Sequence, residues 1–239
     1  MSPNKAFEAS GNGRLFFAPN DGAGKSGEQP GIILASASPR RQALLRALGI
    51  PFKVEPSGID ETAIPWTGER EFALRAAMAK AIDVAERHES SLVIGADTIV
   101  CMDGHILGKP RDRREAREML LALRGRNHKV ITGICVAASW NRTEALHAVE
   151  TRVSFRRFTQ KTLEWYLDTG ESLDKAGAYG IQEKGGRLVK SVEGDYFNVV
   201  GLPLECLLEL MSQFVDVGPW RERLETLDKT NIFGRWPRT

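Results

Sequence analysis

The chain alternates short apolar runs with longer stretches whose apolar positions recur at helical spacing. Residues 31–35, Gly-Ile-Ile-Leu-Ala, predict a short strand. Ser38 then stands as a helix N-cap with Pro39 at the first helical position, and Gly49 is the stop. Leu44, Leu45 and Leu48 supply that helix's buried face. A second strand is expected over 52–56, an acidic loop with Asp60 and Glu61 over 57–65, and a helix over 68–88 with Phe72, Ala76, Ala79 and Ala81 among its apolar positions. Residues 91–100 are continuously apolar until Asp97, the mark of a central strand. Asp103-Gly104 is a hairpin signal returning through Ile106 and Leu107, and Asp112 can cap a helix ending at Gly125. Strands over 129–138 and 148–155 are joined around Asn141, and Thr159 caps a helix ending near Gly170. A glycine-rich stretch over 176–186 leads to a strand at 187–192, and Pro203 opens a last apolar helix reaching Phe214.

Strands alternating with helices predict an α/β fold on a mixed or largely parallel sheet. Ligands of such folds sit beyond the carboxyl ends of strands, beside helix N-termini, which points to residues 36–41 and to Asp97 and Thr98. Residues 1–30, rich in Gly, Asn, Ser and Pro, predict a flexible extension. Residues 19–26 imitate a phosphate loop, but proline occupies its first glycine position, and Gly27, Pro30 and Gly31 follow where a helix must open, so that motif is excluded. The expected organisation is one domain over 31–215 with a charged, tryptophan-containing tail over 216–239.

Composition narrows the class. With 42% apolar and 27% charged residues the chain is an ordinary globular protein. A formal net charge of +2 provides no overall field toward nucleic acid or anionic membranes, and no apolar run has membrane-spanning length. Three cysteines without CxxC spacing point to a reducing, cytoplasmic setting, and four histidines form no metal-ligand pattern.

The chemistry-bearing residues are few. Arg40 and Arg41 fall in a first helical turn, where their charge opposes the helix dipole; a bound phosphate would reverse that conflict. On local pattern alone a solvated surface helix explains them equally well. Asp97 ends a buried strand, where a carboxylate needs a partner, a metal or a cleft, so it is a candidate general base or metal ligand. Asp60 and Glu61 could bring carboxylates to Mg²⁺ or could be a solvated turn. Lys80 among alanines either snorkels or neutralises phosphate, and Lys109 taken alone reads as a surface lysine. Gln182 could read a base edge with its paired donor and acceptor, with Gly177 and Gly180 permitting close approach.

Taken together these segments resemble the Maf family of nucleoside triphosphate pyrophosphatases. The resemblance is carried by residues 34–41 (LASASPRR), Asp60-Glu61, Lys80-Ala81, 95–100 (GADTIV), 108–110 (GKP), 125–133 (GRNHKVITG), 174–182 (DKAGAYGIQ) and 194–203 (GDYFNVVGLP). It implies a Maf/ITPase-like α/β fold with two lobes around a central mixed sheet and a deep substrate cleft. It also implies a homodimer, a divalent cation, most simply Mg²⁺, and cleavage of a nucleoside triphosphate to monophosphate and pyrophosphate. By motif, Asp97 matches the proton acceptor, Glu61 and Asp97 the metal carboxylates, and Ser36, Arg40, Arg41, Lys80 and Lys109 the phosphate-handling positions. Arg40, Thr98 and Gln182 resemble the branch acting on dTTP and UTP. Glu183 departs from the pattern, which puts glycine there.

The competing class is a non-catalytic nucleotide sensor or nucleic-acid-binding regulator of division. Its support is the basic run Lys109, Arg111, Arg113 and Arg114 with Arg117, Arg124, Arg126 and Lys129 nearby, interrupted by Asp112, Glu115 and Glu118. No recognised nucleic-acid motif accompanies it, and no stable nucleic-acid or membrane partner is expected.

Overall fold

The computed structural model of the protein describes residues 15–16, 30–228 and 232. Its strands are β1 (Leu15–Phe16), β2 (Gly31–Leu34), β3 (Lys53–Val54), β4 (Ser91–Met102), β5 (His105–Leu107), β6 (Asn127–Ala138), β7 (Thr143–Phe155) and β8 (Val189–Glu193). The helices are α1 (Pro39–Ala47), α2 (Glu69–Ala85), α3 (Arg113–Leu123), α4 (Gln160–Leu167), α5 (Tyr196–Val200), α6 (Leu204–Met211) and α7 (Gly218–Glu225).

The strands form one mixed sheet in the order β1-β7-β6-β4-β2-β3, with β5 added to β4 and β8 to β7. β2 runs parallel to β3 and β4, whereas β4, β6 and β7 are successively antiparallel. This matches the expected mixed sheet, with two extensions. β6 and β7 begin earlier than their apolar patterns suggest, because antiparallel pairing continues from Ala138↔Thr143 through residues with mixed polarity.

Asp103 (φ 52°) and Gly104 (φ 79°) both take the left-handed conformation, as a two-residue hairpin between β4 and β5 requires. Asp112 and Thr159 cap α3 and α4 through side-chain oxygens that accept from Glu115 N–H and Thr162 N–H.

Alternation along β4 divides the core. Val93, Ile99 and Cys101 meet α2, while Leu92, Ile94, Ala96 and Val100 join the larger apolar layer under α3, α4 and α6. The α2 layer is unusually thin. A Cβ on Gly95 would lie 2.2 Å from the Ala77 carbonyl oxygen, and one on Gly133 would lie 2.1 Å from that of Ala73. Only glycine in the strands and alanine in the helix allow this backbone contact, which fixes the height of Lys80 above the sheet.

Two elements add to the expected set. Five-residue α5 lies between the expected strand at 187–192 and the helix opened by Pro203, and Asp195 caps it by accepting from Phe197 and Asn198 N–H. The expected tail contains α7, which packs on α6; Val217 is buried, and Arg223 Nε donates to Ala47 O at 2.7 Å, tying the helix to the end of α1. Residues 19–26 lie outside the described residues, as does most of the expected extension; within it, β1 pairs with β7. No helix among the described residues is long and apolar enough to cross a membrane.

Candidate active site

The sheet itself creates the opening. β2 pairs with β4 only as far as Leu34↔Ile94, and β5 begins pairing at Val100, so between these points that edge of β4 has no strand neighbour among the described residues. A cleft of about 730 Å³ opens there, at the carboxyl end of β2 and the start of α1. Among its lining residues are the candidates Ser36, Arg40, Arg41, Glu61, Lys80, Asp97, Thr98, Lys109 and Gln182, but not Asp60.

Asp97 and Thr98 point to opposite faces of β4 and so border the cleft from two sides. On the α2 side, Lys80 Nζ lies 2.6 Å from Asp97 Oδ1 and 2.7 Å from Glu61 Oε1. Asp97 and Lys80 are both buried, while the Glu61 side chain is 53% exposed on its short 3-10 turn, Glu61–Ala63. Asp60 holds that turn by accepting from Thr62 N–H and Oγ1, hydrogen bonds that keep its carboxyl below the usual range. Lys80 therefore bridges the two carboxylates, a role its sequence context did not reveal. Two carboxylates on one ammonium leave a net negative charge that suits a divalent cation. Mg²⁺ commonly takes one or two protein carboxylates with water and substrate phosphate oxygens. The donor set fits such an ion only with ligands from outside the chain, since the described residues contain no group of three or more metal-binding side chains.

On the other face, Arg41 is the organising group. Its Nε donates to Gly201 O at 2.9 Å, its Nη1 to Ser36 Oγ at 2.9 Å and its Nη2 to Thr98 Oγ1 at 3.1 Å. Thr98 Oγ1 lies 2.9 Å from Thr132 Oγ1, which donates to Asn198 O at 3.1 Å. Asn198 Nδ2 in turn donates to Val130 O and Thr151 Oγ1. These partners are neutral, so the buried guanidinium is oriented without direct charge compensation. Burial lowers its pKa, while the nearby Asp97 charge works in the opposite direction. A buried cation held by neutral groups beside a cleft is suited to an arriving anion.

Arg40 is partly exposed, with Nη1 3.9 Å from Asp174 Oδ2, and Lys109 is exposed at the cleft margin. The lining includes five cations (Arg40, Arg41, Lys80, Lys109 and Lys175) against three carboxylates (Glu61, Asp97 and Asp174), a balance favouring an anionic ligand. Ser38 occupies the N-cap of α1 without making a side-chain cap bond. Ser36 Oγ accepts from Ser38 N–H at 3.3 Å, a bond that holds the turn before the helix and does not cap its first-turn N–H groups, so the expected side-chain cap from Ser38 is not formed. Gly201, Asn198 and Lys175 were not singled out as site residues. The first two stand far from α1 in sequence, and no local signal links their polar atoms to it.

The basic run also acquires a structural explanation. Arg111 pairs with Glu115, Arg113 with Glu164 and Asp168, Arg117 with Glu164, and Arg126 with Asp103. Much of its charge is therefore used within the surface, which removes the main support for a nucleic-acid regulator.

The Maf-like protein family model matches residues 31–214. The dTTP/UTP pyrophosphatase of Symbiobacterium thermophilum is 47% identical over 183 residues, covering 77% of this chain and 93% of that protein. The dTTP/UTP pyrophosphatase of Moorella thermoacetica is 48% identical over 187 residues, covering 78% and 96%. A solved nucleoside-triphosphatase / dITP/XTP pyrophosphatase from Mycobacterium abscessus has a TM-score of 0.34 and 16% identity, covering 53% of this chain and 75% of that one; so slight a likeness bears no weight. The family match and the extent of the relatives' similarity agree with the ordered motifs around the cleft: this chain belongs to the Maf family.

Proposed function

We propose that the protein hydrolyses dTTP and UTP to the corresponding monophosphate and pyrophosphate. The central observation is the Asp97–Lys80–Glu61 arrangement at the open edge of β4, facing the cationic start of α1. It places a carboxylate suited to proton transfer beside groups suited to a triphosphate. The named activity of the relatives supports the choice of nucleotide.

Arg40, Arg41 and Lys109 bind the phosphates, assisted by the first-turn N–H groups of α1, which have no acceptor within the helix. Asp97 accepts a proton from the water attacking the α-phosphorus; the new P–O bond forms as the bond to the pyrophosphate oxygen breaks. The nearby cations stabilise charge on the departing pyrophosphate. Glu61 and Asp97 would hold Mg²⁺, whose chemistry is to neutralise phosphate charge and polarise the reacting group. Lys80 keeps the two carboxylates together despite their like charge. Gln182 meets the base edge, and Thr98 acts by holding Arg41 in place.

A homodimer and a cytoplasmic setting complete this proposed reading. The direct test is incubation with Mg²⁺ and a nucleotide panel, followed by product identification. UMP or dTMP with pyrophosphate is expected. Diphosphate with orthophosphate would assign a different bond cleavage, and binding without turnover would reject the enzyme reading.

A further inference from the structure

Glu183, where the family pattern leads one to expect glycine, has a defined place behind Gln182. Gln182 is buried and lines the cleft, and its Nε2 lies 3.3 Å from Glu183 Oε1. The other Glu183 oxygen, Oε2, is 3.5 Å from Lys175 Nζ. That buried ammonium also donates to Asp174 Oδ1 at 2.7 Å and Glu171 O at 3.0 Å. Gly180 provides the space for its stem, because a Cβ there would stand 2.7 Å from Lys175 Cε. Glu183 is thus held from one side by a lysine and meets the base-facing amide on the other.

An ionised carboxylate accepts hydrogen bonds and cannot donate them. Beside Glu183, the favoured amide orientation therefore puts Gln182 Nε2 toward the carboxylate. Oε1 is on the opposite branch of the planar amide. We propose that Glu183 is a specificity-positioning residue, fixing Gln182 so that its carbonyl oxygen meets the base. This rests on the pyrimidine-nucleotide reading of the cleft and deepens it. Uracil and thymine offer an N3–H donor to such an oxygen, whereas cytosine presents an unprotonated N3 acceptor. Glu183 favours the first group by restricting Gln182's alternatives, without touching the substrate itself.

The test is the ratio of kcat/KM for UTP to that for CTP in wild type, Glu183→Ala, Glu183→Gln, Glu183→Asp, Gln182→Ala and the double alanine variant. Folding is checked by circular dichroism. Removal of the carboxylate by Ala or Gln is expected to lower the ratio roughly tenfold, mainly through a higher KM for UTP, because an unpaired polar edge is poorly tolerated in such a site. Glu183→Asp should recover part of the selectivity. With Gln182 already alanine, removing Glu183 should have no further effect on the ratio. A fall of less than threefold in both Glu183→Ala and Glu183→Gln overturns the proposal, as does an equal effect in the Gln182→Ala background. Equal loss of kcat for both nucleotides would assign Glu183 only a structural role. A folded wild type that hydrolyses none of the nucleotide panel rejects the underlying functional reading; a selective wild type with unchanged Glu183 variants rejects this inference alone.

Discussion

The two faces of β4 hold adjacent residues by contrasting means. On one, Asp97 lies beneath a helix in backbone contact with the sheet and takes its partner from charge, the Lys80 ammonium. On the other, Thr98 belongs to a chain of neutral hydroxyl, amide and carbonyl groups that orients Arg41. The charged face is thin and closely packed; the neutral one borders the larger apolar layer. The difference separates two tasks. A reacting carboxylate benefits from a fixed position, which the Lys80 contact provides. A cation intended for an incoming phosphate is better held by neutral groups, since a direct carboxylate partner would compete with the ligand.

Replacing Asp97 by Asn is the sharpest way to break this division. Pyrophosphate release should fall on the order of 10²–10⁴-fold, the usual scale for a positioned general base, while circular dichroism remains native. A folded variant retaining a tenth of wild-type activity would remove Asp97 from proton transfer.

His128 probes the thick neutral face. Its Nε2 lies 2.7 Å from Tyr179 Oη, and burial pushes the imidazole pKa down to about 4 from its usual 6.5. Folding therefore favours neutral His128. This contribution is present above pH 6.5 and is lost as the pH falls toward 4, by about 3 kcal/mol across the window. Urea titrations at stepped pH should show this loss, and His128→Gln should reduce the slope. An unchanged slope would rule out His128 as its source.

Gly133→Ala tests the thin face. The added methyl meets the Ala73 carbonyl and must lift α2 or bend β6, with an expected stability cost of about 2 kcal/mol. Thermal denaturation measures that cost; a change below about 0.5 kcal/mol would show that this contact yields easily. Arg41→Lys retains charge but loses the three-way fork to Ser36, Thr98 and Gly201. KM for UTP should rise roughly tenfold with a smaller change in kcat. If kcat bears the whole effect, Arg41 serves the transition state rather than the bound triphosphate.

Much of this arrangement was legible from local pattern. Asp97 disclosed itself as a carboxylate interrupting an apolar run, although it does not end the strand as expected, since β4 continues past it to Met102; the hairpin, the α3 cap and the α4 cap each carried short-range signals. The Arg40-Arg41 conflict with the helix dipole directed attention to the start of α1, which lines the cleft. What remained hidden depends on distant partners. No spacing near Lys80 reveals Asp97 and Glu61 on its ammonium, and nothing around Arg41 identifies Gly201 as an acceptor. Short α5 offers too little helical period to read, while the apolar side of α7 is divided among Val217, Trp220 and Leu224 within a charged stretch.

The contact of α2 with Gly95 and Gly133 also fixes which parts of the site have room to shift. Sliding the helix along β4 would carry its carbonyls over the Cβ atoms of Val93 or Asp97, the next residues on the same face. Lys80 can turn about its own bonds, but its helix has no free track beneath it. The Glu61 turn is solvent-exposed and has no such backbone lock. Of the two carboxylates on Lys80, Asp97 is therefore the one anchored under the helix and Glu61 the one on an exposed turn.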